Sequence, residues 1–235
     1  MPADQGIRKR AMSGEKPQLI VFGAGGHGKS VLDTLFAEGK YTVIGLIDST
    51  RPVGYEVLGV PVLGTEADLP SIIAQRGCNT FFIAIGDNFQ RSEVSNRLRV
   101  AIPDMTLVTA VHPRAVISPS AVLGAGTVVM AGAVVNAQCT IAGGCIVNTR
   151  SSVDHDCTMA PFSSLAPGAT LGGGVTVGHR SAIGLGSNVN QQLDIGADTV
   201  IGTGACVVSN IPPSVVAHGC PCKVVRSREM DEPYL

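Results

Sequence analysis

From Ile117 to Val207 a large apolar residue stands at every sixth position, sixteen in succession. The series opens with Ile117, Leu123, Val129 and Val135 and closes with Val189, Ile195, Ile201 and Val207. Two residues before each, the side chain is nearly always small, as at Ala121, Ala133, Cys145, Ser163, Ala169 and Ser187. One residue after, ten of the sixteen positions hold Gly, Asn or Asp, among them Gly124, Asn136, Asp154, Gly172 and Gly202. A period of six is a multiple of the two-residue side-chain repeat of a strand and does not match a helical turn. An unbroken hexapeptide repeat is the signature of a parallel β-helix. One large residue per repeat fills the interior, and the small one lies on the same strand face beside it. The Gly, Asn or Asp that follows is expected to take the left-handed backbone conformation of a corner. With three sides to each coil, residues 115–210 make about five coils.

A solenoid touches only its sequence neighbours and needs capped ends. Residues upstream of 115 are expected to cap one end, and Ile211-Pro212-Pro213, which breaks the period, to begin the other. Flat outer sides carrying Val128, Val134 and Ile146 are expected to invite association, because exposed apolar patches mark interfaces. The abrupt start of the repeat divides the chain into a polar, disordered tail at 1–17, an α/β domain at 18–112 and the coil with its cap at 113–235.

Net charge is −1 and aromatic residues are 4% with no Trp, so the basic face and stacking rings of a nucleic-acid binder are missing. The one basic run is Arg8-Lys9-Arg10, in the tail. No apolar stretch approaches the ~18 residues of a membrane span, and Leu19–Phe22 is too short for a signal-peptide core. No membrane insertion and a cytoplasmic location are expected. The seven Cys show no framework spacing, which fits a reducing compartment. Cys139, Cys145, Cys157 and Cys206 read as core filler, and Cys220-Pro221-Cys222 is too cramped for a zinc site, so no metal is expected.

In the N-terminal half, Leu19–Phe22 reads as a buried strand running into Gly23-Ala24-Gly25-Gly26-His27-Gly28-Lys29, with a helix from Ser30 to about residue 37. A second strand, Thr42–Asp48, ends in a carboxylate. A helix near Glu66–Gln75, a strand at Thr80–Ile85 and a helix from Asn88 to about residue 99 follow. This alternation predicts a small parallel sheet of about three or four strands with helices on its faces. Gly23, Gly25 and Gly28 satisfy G-x-G-x-x-G, which lets backbone approach a phosphate at a helix N-terminus. Asp48 stands where a ribose hydroxyl would be met. A sheet this small fits one nucleoside-diphosphate ligand better than a dinucleotide. Ala84-Ile85-Gly86-Asp87-Asn88, at the carboxyl end of the third strand, is either the other edge of that pocket or a helix cap.

Of the five His, His112 reads as structural, His179 as solvent-facing, His218 as part of the cap and His27 as a ligand contact. His155 differs, because it lies in Asp154-His155-Asp156 at a corner of the coil. An imidazole beside a carboxylate has the parts of a general base with an orienting group, since the carboxylate fixes the tautomer and raises basicity at the other nitrogen.

The ordered set GAGGHGK, IAIGDN, the hexapeptides, DHD and Gly219-Cys220-Pro221-Cys222-Lys223 resembles one family from about residue 18 onward. It is similar to the bacterial acetyl-CoA-dependent sugar acetyltransferases that join a Rossmann-like α/β domain to a left-handed parallel β-helix. These include N-acetyltransferases of nucleotide-linked 4-amino-4,6-dideoxy sugars and sialic acid O-acetyltransferases. The left hand follows from the resemblance and not from the spacing. The resemblance implies a homotrimer with active sites between adjacent coils. It implies a nucleotide-sugar site at Gly23, Gly25, Gly26, His27 and Asp48, closed by Gly86 and Asn88. His155 matches the family's base, Asp156 its orienting acid, Asp154 a further acidic position and Asn148 an active-site stretch of the same coil. Acetyl-CoA, the co-substrate, is expected to run past Ser164, Gly173 and Leu185 toward Thr203 and Lys223, with a backbone N–H near Gly173 as oxyanion donor. This chain departs from the family's pattern in having Asp156 where Glu is common, Ser164 where some relatives have His, Asp87 in an Asn-Asn pair and Cys222 where Ala is usual.

The expected reaction is direct transfer in a ternary complex, with His155 as base and the C4 amine of the sugar as nucleophile. The alternatives are acetylation of a hydroxyl, as on sialic acid, and a non-catalytic nucleotide-binding scaffold or a zinc protein like the β-helical carbonic anhydrases.

Overall fold

The computed structural model describes residues 16–234. The tail expected over 1–17, with its basic run, lies outside the described residues except for Lys16 and Pro17. The α/β part contains β1 (Gln18–Phe22), α1 (Gly26–Glu38), β2 (Thr42–Ile47), β3 (Glu56–Val57), β4 (Val60–Gly64), α2 (Leu69–Arg76), β5 (Thr80–Ile83), α3 (Asn88–Ala101) and β6 (Thr106–Leu107). A single 3-10 turn, Glu66–Asp68, leads into α2.

These strands form one six-stranded sheet in the order β3-β4-β2-β1-β5-β6, parallel apart from the β3–β4 hairpin. The expected three or four strands were too few. Pro61 inside the Val60–Gly64 run hides β4, since Pro removes a ladder donor and demotes a run to the edge. The strands β3 and β6 hold two residues each, too short for periodicity to show. Along β1 the side chains alternate. Leu19 and Val21 pack with Val31, Leu32 and Leu35 of α1, while Ile20 and Phe22 pack with Leu69, Ile72, Val94 and Leu98 of α2 and α3. This burial starts α1 at Gly26, four residues before Ser30, although Gly25 caps it without a side-chain hydrogen bond.

The coil is a three-sided left-handed β-helix whose rungs pair in parallel 18 residues apart, as in Val128 with Ile146 and Ile146 with Ser164. The first face carries Ala110–Val111, Val128–Val129, Ile146–Val147, Ser164–Leu165, Ala182–Ile183 and Val200–Ile201. The second runs from Val116–Ile117 to Cys206–Val207, and the third from Val122–Leu123 to Asp194–Ile195. The first rung thus begins at Ala110, ahead of the expected boundary at 112–113. The aliphatic series and its small companions form one dry core, with Val147, Val153, Met159, Leu165 and Leu171 fully buried. Ile211 still bridges to Ile195, and Val215–His218 then pairs antiparallel with Lys223–Ser227 as the terminal cap.

Three sequence expectations about the coil are corrected. The left-handed residue comes three positions after the aliphatic one and not directly after it, from Gly126 through Gln138, Arg150 and Asp156 to Gly204. The glycines directly after the aliphatic residue serve close approach instead. A Cβ on Gly178 would lie 2.5 Å from the backbone nitrogen of Ala197 in the next coil. Second, Val128 and Ile146 are not free outer residues, because they are buried in the cluster built around α1. Val134 is half-buried, and the most exposed large apolar residues of the coil are Val116 (63%) and Val122 (60%), followed by Val208 and Leu185. Third, Cys206 is not core filler, since Ala205 takes the interior position. Cys206 is half-exposed and its backbone bonds to Gly219 and Cys222 of the cap.

Candidate active site

The corner after Ser152–Val153 carries Asp154-His155-Asp156. Asp156 is the left-handed corner residue, with φ 61°, a conformation a short polar side chain tolerates. This turn brings its Oδ2 to 2.7 Å from His155 Nδ1. Asp154 accepts from the His155 backbone N–H at 2.9 Å and from Asn136 Nδ2 at 3.1 Å, so the whole corner is fixed. The bond to Asp156, then the charge of Asp154, holds the His155 pKa above its usual value. The ring sits against Gly173 of the next coil, where a Cβ would come within 2.6 Å of Cε1 and Nε2. Among the described residues no acceptor pairs with the Gly173 N–H. A groove of about 200 Å³ follows, lined by His155, Asp156, Gly173, Gly174, Gln191 and Gln192. Gln191 and Gln192 were not singled out from sequence, yet the 18-residue rung carries His155 to Gly173 to Gln191.

A second cleft, of about 620 Å³, opens at the carboxyl ends of β1 and β2, with Gly23, Asp48, Thr50, Glu66, Phe89 and Arg97 among its walls. Gly23 has φ +103°, and a Cβ there would meet the Ala84 carbonyl oxygen at 2.6 Å, so only Gly closes this crossing. Both Asp48 oxygens already serve protein donors. Oδ2 accepts from Ala24 N at 2.7 Å, and Oδ1 from Thr50 N, Thr50 Oγ1 and Arg51 N at 2.8, 2.7 and 3.1 Å. Partial burial works to raise the Asp48 pKa, but these hydrogen bonds hold it below the usual carboxylate range. Asp48 therefore stitches the loops after β1 and β2 together. Gly25 and Gly26 are exposed, and a Cβ on either would meet open space.

A third cavity, of about 490 Å³, lies between the α/β part and the coil. It gathers residues expected at two different ligands: His27, Gly86 and Asn148 with Ser164, Leu185 and Thr203. The last three stand on or just after successive rungs of the first face, as does Asn148. Burial and the charge of Arg91 lower the His27 pKa to about 4, so its ring is neutral at ordinary pH. Its buried Nε2 has no hydrogen-bond partner among the described residues. Lys223 is exposed on the cap hairpin and does not line this cavity.

Asn88 is not a pocket wall. It is fully buried, and its Nδ2 donates to Ser164 Oγ, Arg180 O and Ser181 O at 3.0, 3.0 and 3.1 Å. Its neighbour Arg91, missed from sequence, spends every guanidinium nitrogen on this seam. It donates to the carbonyls of Ile85, Gly86, Gly144 and Phe162 and to Asn88 Oδ1. Burial pushes its pKa down to about 10. His179 is half-buried, with its ring edge-on to Phe162 at 6.1 Å, and does not face open solvent. Among the described residues no three His, Cys, Asp or Glu side chains gather to hold a metal, and no helix is long and apolar enough to cross a membrane.

An α/β domain whose glycine loop faces a left-handed hexapeptide coil bearing an oriented imidazole defines an acyltransferase. Residues 18–98 match the family described as PglD N-terminal domain. PerB of Caulobacter crescentus, solved with CoA and GDP-perosamine, is 40% identical over 92% of this chain and 100% of its own, with TM-score 0.83. The acetyltransferase domain of PglB from Neisseria gonorrhoeae, solved with acetyl coenzyme A, is 37% identical over 89% of this chain and 100% of its own, with TM-score 0.81. The galactoside O-acetyltransferase of Escherichia coli is 45% identical over 53 residues, a match spanning 21% of this chain and 26% of that enzyme. The chain belongs to the bacterial sugar acetyltransferases that join a Rossmann-like domain to a hexapeptide-repeat β-helix. It is an acyltransferase with acetyl-CoA as co-substrate.

Proposed function

We propose that the enzyme moves the acetyl group of acetyl-CoA to the C4 amine of a nucleotide-linked 4-amino-4,6-dideoxy sugar, with GDP-perosamine the first acceptor to test. The observation that carries this reading is the His155 ring, held by Asp156 at 2.7 Å and set against Gly173. The neutral amine attacks the thioester carbonyl carbon, and His155 takes the amine proton. The C–S bond then breaks, and the CoA thiolate leaves with that proton. The Gly173 N–H, which has no acceptor among the described residues, serves as the oxyanion donor in this reading. A general base of this kind contributes roughly 10²–10⁴-fold, and positioning of two bound reactants adds more. The open space over Gly25 and Gly26, at the start of α1, suits the sugar diphosphate.

His155 and Gly173 stand on the edge after the second face, whereas Asn148, Leu185 and Thr203 stand on the edge after the first. A site that uses both groups is shared between copies, which supports a homotrimer, and the exposed Val116 and Val122 give it apolar surface to bury. Light scattering should return three times 24.1 kDa. All seven Cys are free, which supports a reducing cytoplasm. The acetylated sugar then serves the assembly of a surface polysaccharide or glycan.

The test is thiol release from acetyl-CoA with GDP-perosamine. His155→Ala should lower turnover at least about a hundredfold while nucleotide-sugar affinity survives. Near-normal turnover would remove His155 from the reaction. The short match to an O-acetyltransferase supports a second reading, transfer to a sugar hydroxyl. Side-by-side rates with an amino-sugar nucleotide and with sialic acid separate the two.

A further inference from the structure

The C-terminal segment returns from the far end of the coil to the seam between the two parts of the chain, and its anchoring is built rather than incidental. Arg228 is nearly buried, donates to Asp198 O at 2.9 Å and to the Glu232 carbonyl, and sets its guanidinium 5.6 Å over the Tyr234 ring. Arg226 holds the Glu232 carboxylate through two bonds at 3.0 and 2.6 Å. Tyr234 Oη accepts the N–H of Asn88 at 3.0 Å, an N–H of the first turn of α3 that has no acceptor within its own helix. The phenol therefore caps α3 and, on its other side, lines the cavity with His27, Gly86, Asn148 and Ser164.

We propose that Tyr234 is a substrate-contacting residue: its ring forms the wall against which the nucleotide sugar rests in the cavity between the α/β part and the coil. The proposal rests on the reading above, in which His27 and Gly86 belong to the nucleotide-sugar side. Oη accepts the hydrogen bond of the Asn88 N–H and also interacts with the Ser164 side chain, and burial raises the phenol pKa so that the hydroxyl stays neutral. Tyr234 thus offers the ligand the face of its ring beside the unpartnered Nε2 of His27.

The experiment compares Tyr234→Ala and Tyr234→Phe with the unchanged chain, with GDP-perosamine binding by calorimetry as the primary readout and steady-state kinetics as the second. Tyr234→Ala should weaken GDP-perosamine binding about tenfold, raise its KM equally, and leave kcat and the KM for acetyl-CoA within about twofold. Tyr234→Phe, which keeps the ring and is isosteric, should recover affinity to within about threefold. An unchanged Kd in Tyr234→Ala, a tighter one, or a shift confined to acetyl-CoA would overturn the proposal. So would an unchanged chain that binds no GDP-perosamine, because the cavity then serves another ligand. A chain that binds the nucleotide sugar without acetylating it would defeat the reaction reading while still testing Tyr234. A Tyr234→Phe variant that loses affinity with its melting temperature kept would move the contact from the ring to the hydroxyl and overturn the wall.

Discussion

The coil and the α/β part solve the same problem, burying aliphatic strands, over different distances along the chain. Every rung of the coil bonds to the rung 18 residues away, so one local rule repeats without change. In the sheet, Val21 of β1 pairs with Leu46 on one side and Phe82 on the other, and no period relates the three. The consequence shows in the errors. Placing the left-handed corner two positions too early was repeated at every corner and left the coil's architecture intact, because the interior side chains alone set it. Overlooking the β3–β4 hairpin changed the width of the sheet, because each strand there is a separate decision. The candidate site draws on both regimes, with the oriented base inside the repeat, one cleft within the α/β part and one cavity where the two parts meet.

The largest effect should break the joint between the regions. Arg91→Ala leaves four carbonyls and the Asn88 oxygen without their donor, so it should cost about 3–5 kcal/mol in denaturant titration. Arg91→Lys should rescue little, since an ammonium cannot match the planar fork. A loss below about 1 kcal/mol would mean that the seam is held by something else.

Within the coil, Gly178→Ala tests close approach against corner conformation. Its Cβ would strike the backbone of Ala197, so a loss of about 1–3 kcal/mol is expected. A neutral result would return that glycine to an ordinary corner role.

At the base, Asp156→Asn keeps the shape of the side chain and removes its charge. The carboxylate is what raises the His155 pKa, and the imidazole must be neutral to accept a proton. The acid limb of the kcat profile should therefore move to lower pH, with turnover reduced about tenfold. A limb that stays in place would assign it to another group.

The smallest effect sharpens the corner rule. Gln138 holds φ 58° without being Gly, so Gln138→Gly should gain about 0.5 kcal/mol, as relief of strain outweighs added chain entropy. A melting temperature below that of the unchanged protein would place the strain elsewhere.

Much of the site could be read ahead of the structure because its chemistry follows the repeat. His155 is marked by its flanking acids, and Gly173 is reached from it by one rung. Gln191 was open to the same step of 18 and was passed over for lack of a chemical label. Asn88 was expected at the pocket edge or in a helix cap, and its bonds across the seam carried no signal, because a buried amide and a pocket amide look alike in a motif. Arg91 and Tyr234 carried no signal, since the bonds that tie them across the seam reach Gly144, Phe162 and Asn88, which lie 53, 71 and 146 residues away in sequence.

The amino-acid order by itself determined the coil, its dry interior and the imidazole with its acid neighbour, because each depends on residues no more than a rung apart. Only the tertiary structure decided that Asp48 joins two loops, that Asn88 bolts the seam and that His27 shares a cavity with Ser164. Those roles depend on which surfaces are dehydrated against each other, and dehydration is a property of the packed chain and not of any stretch of it.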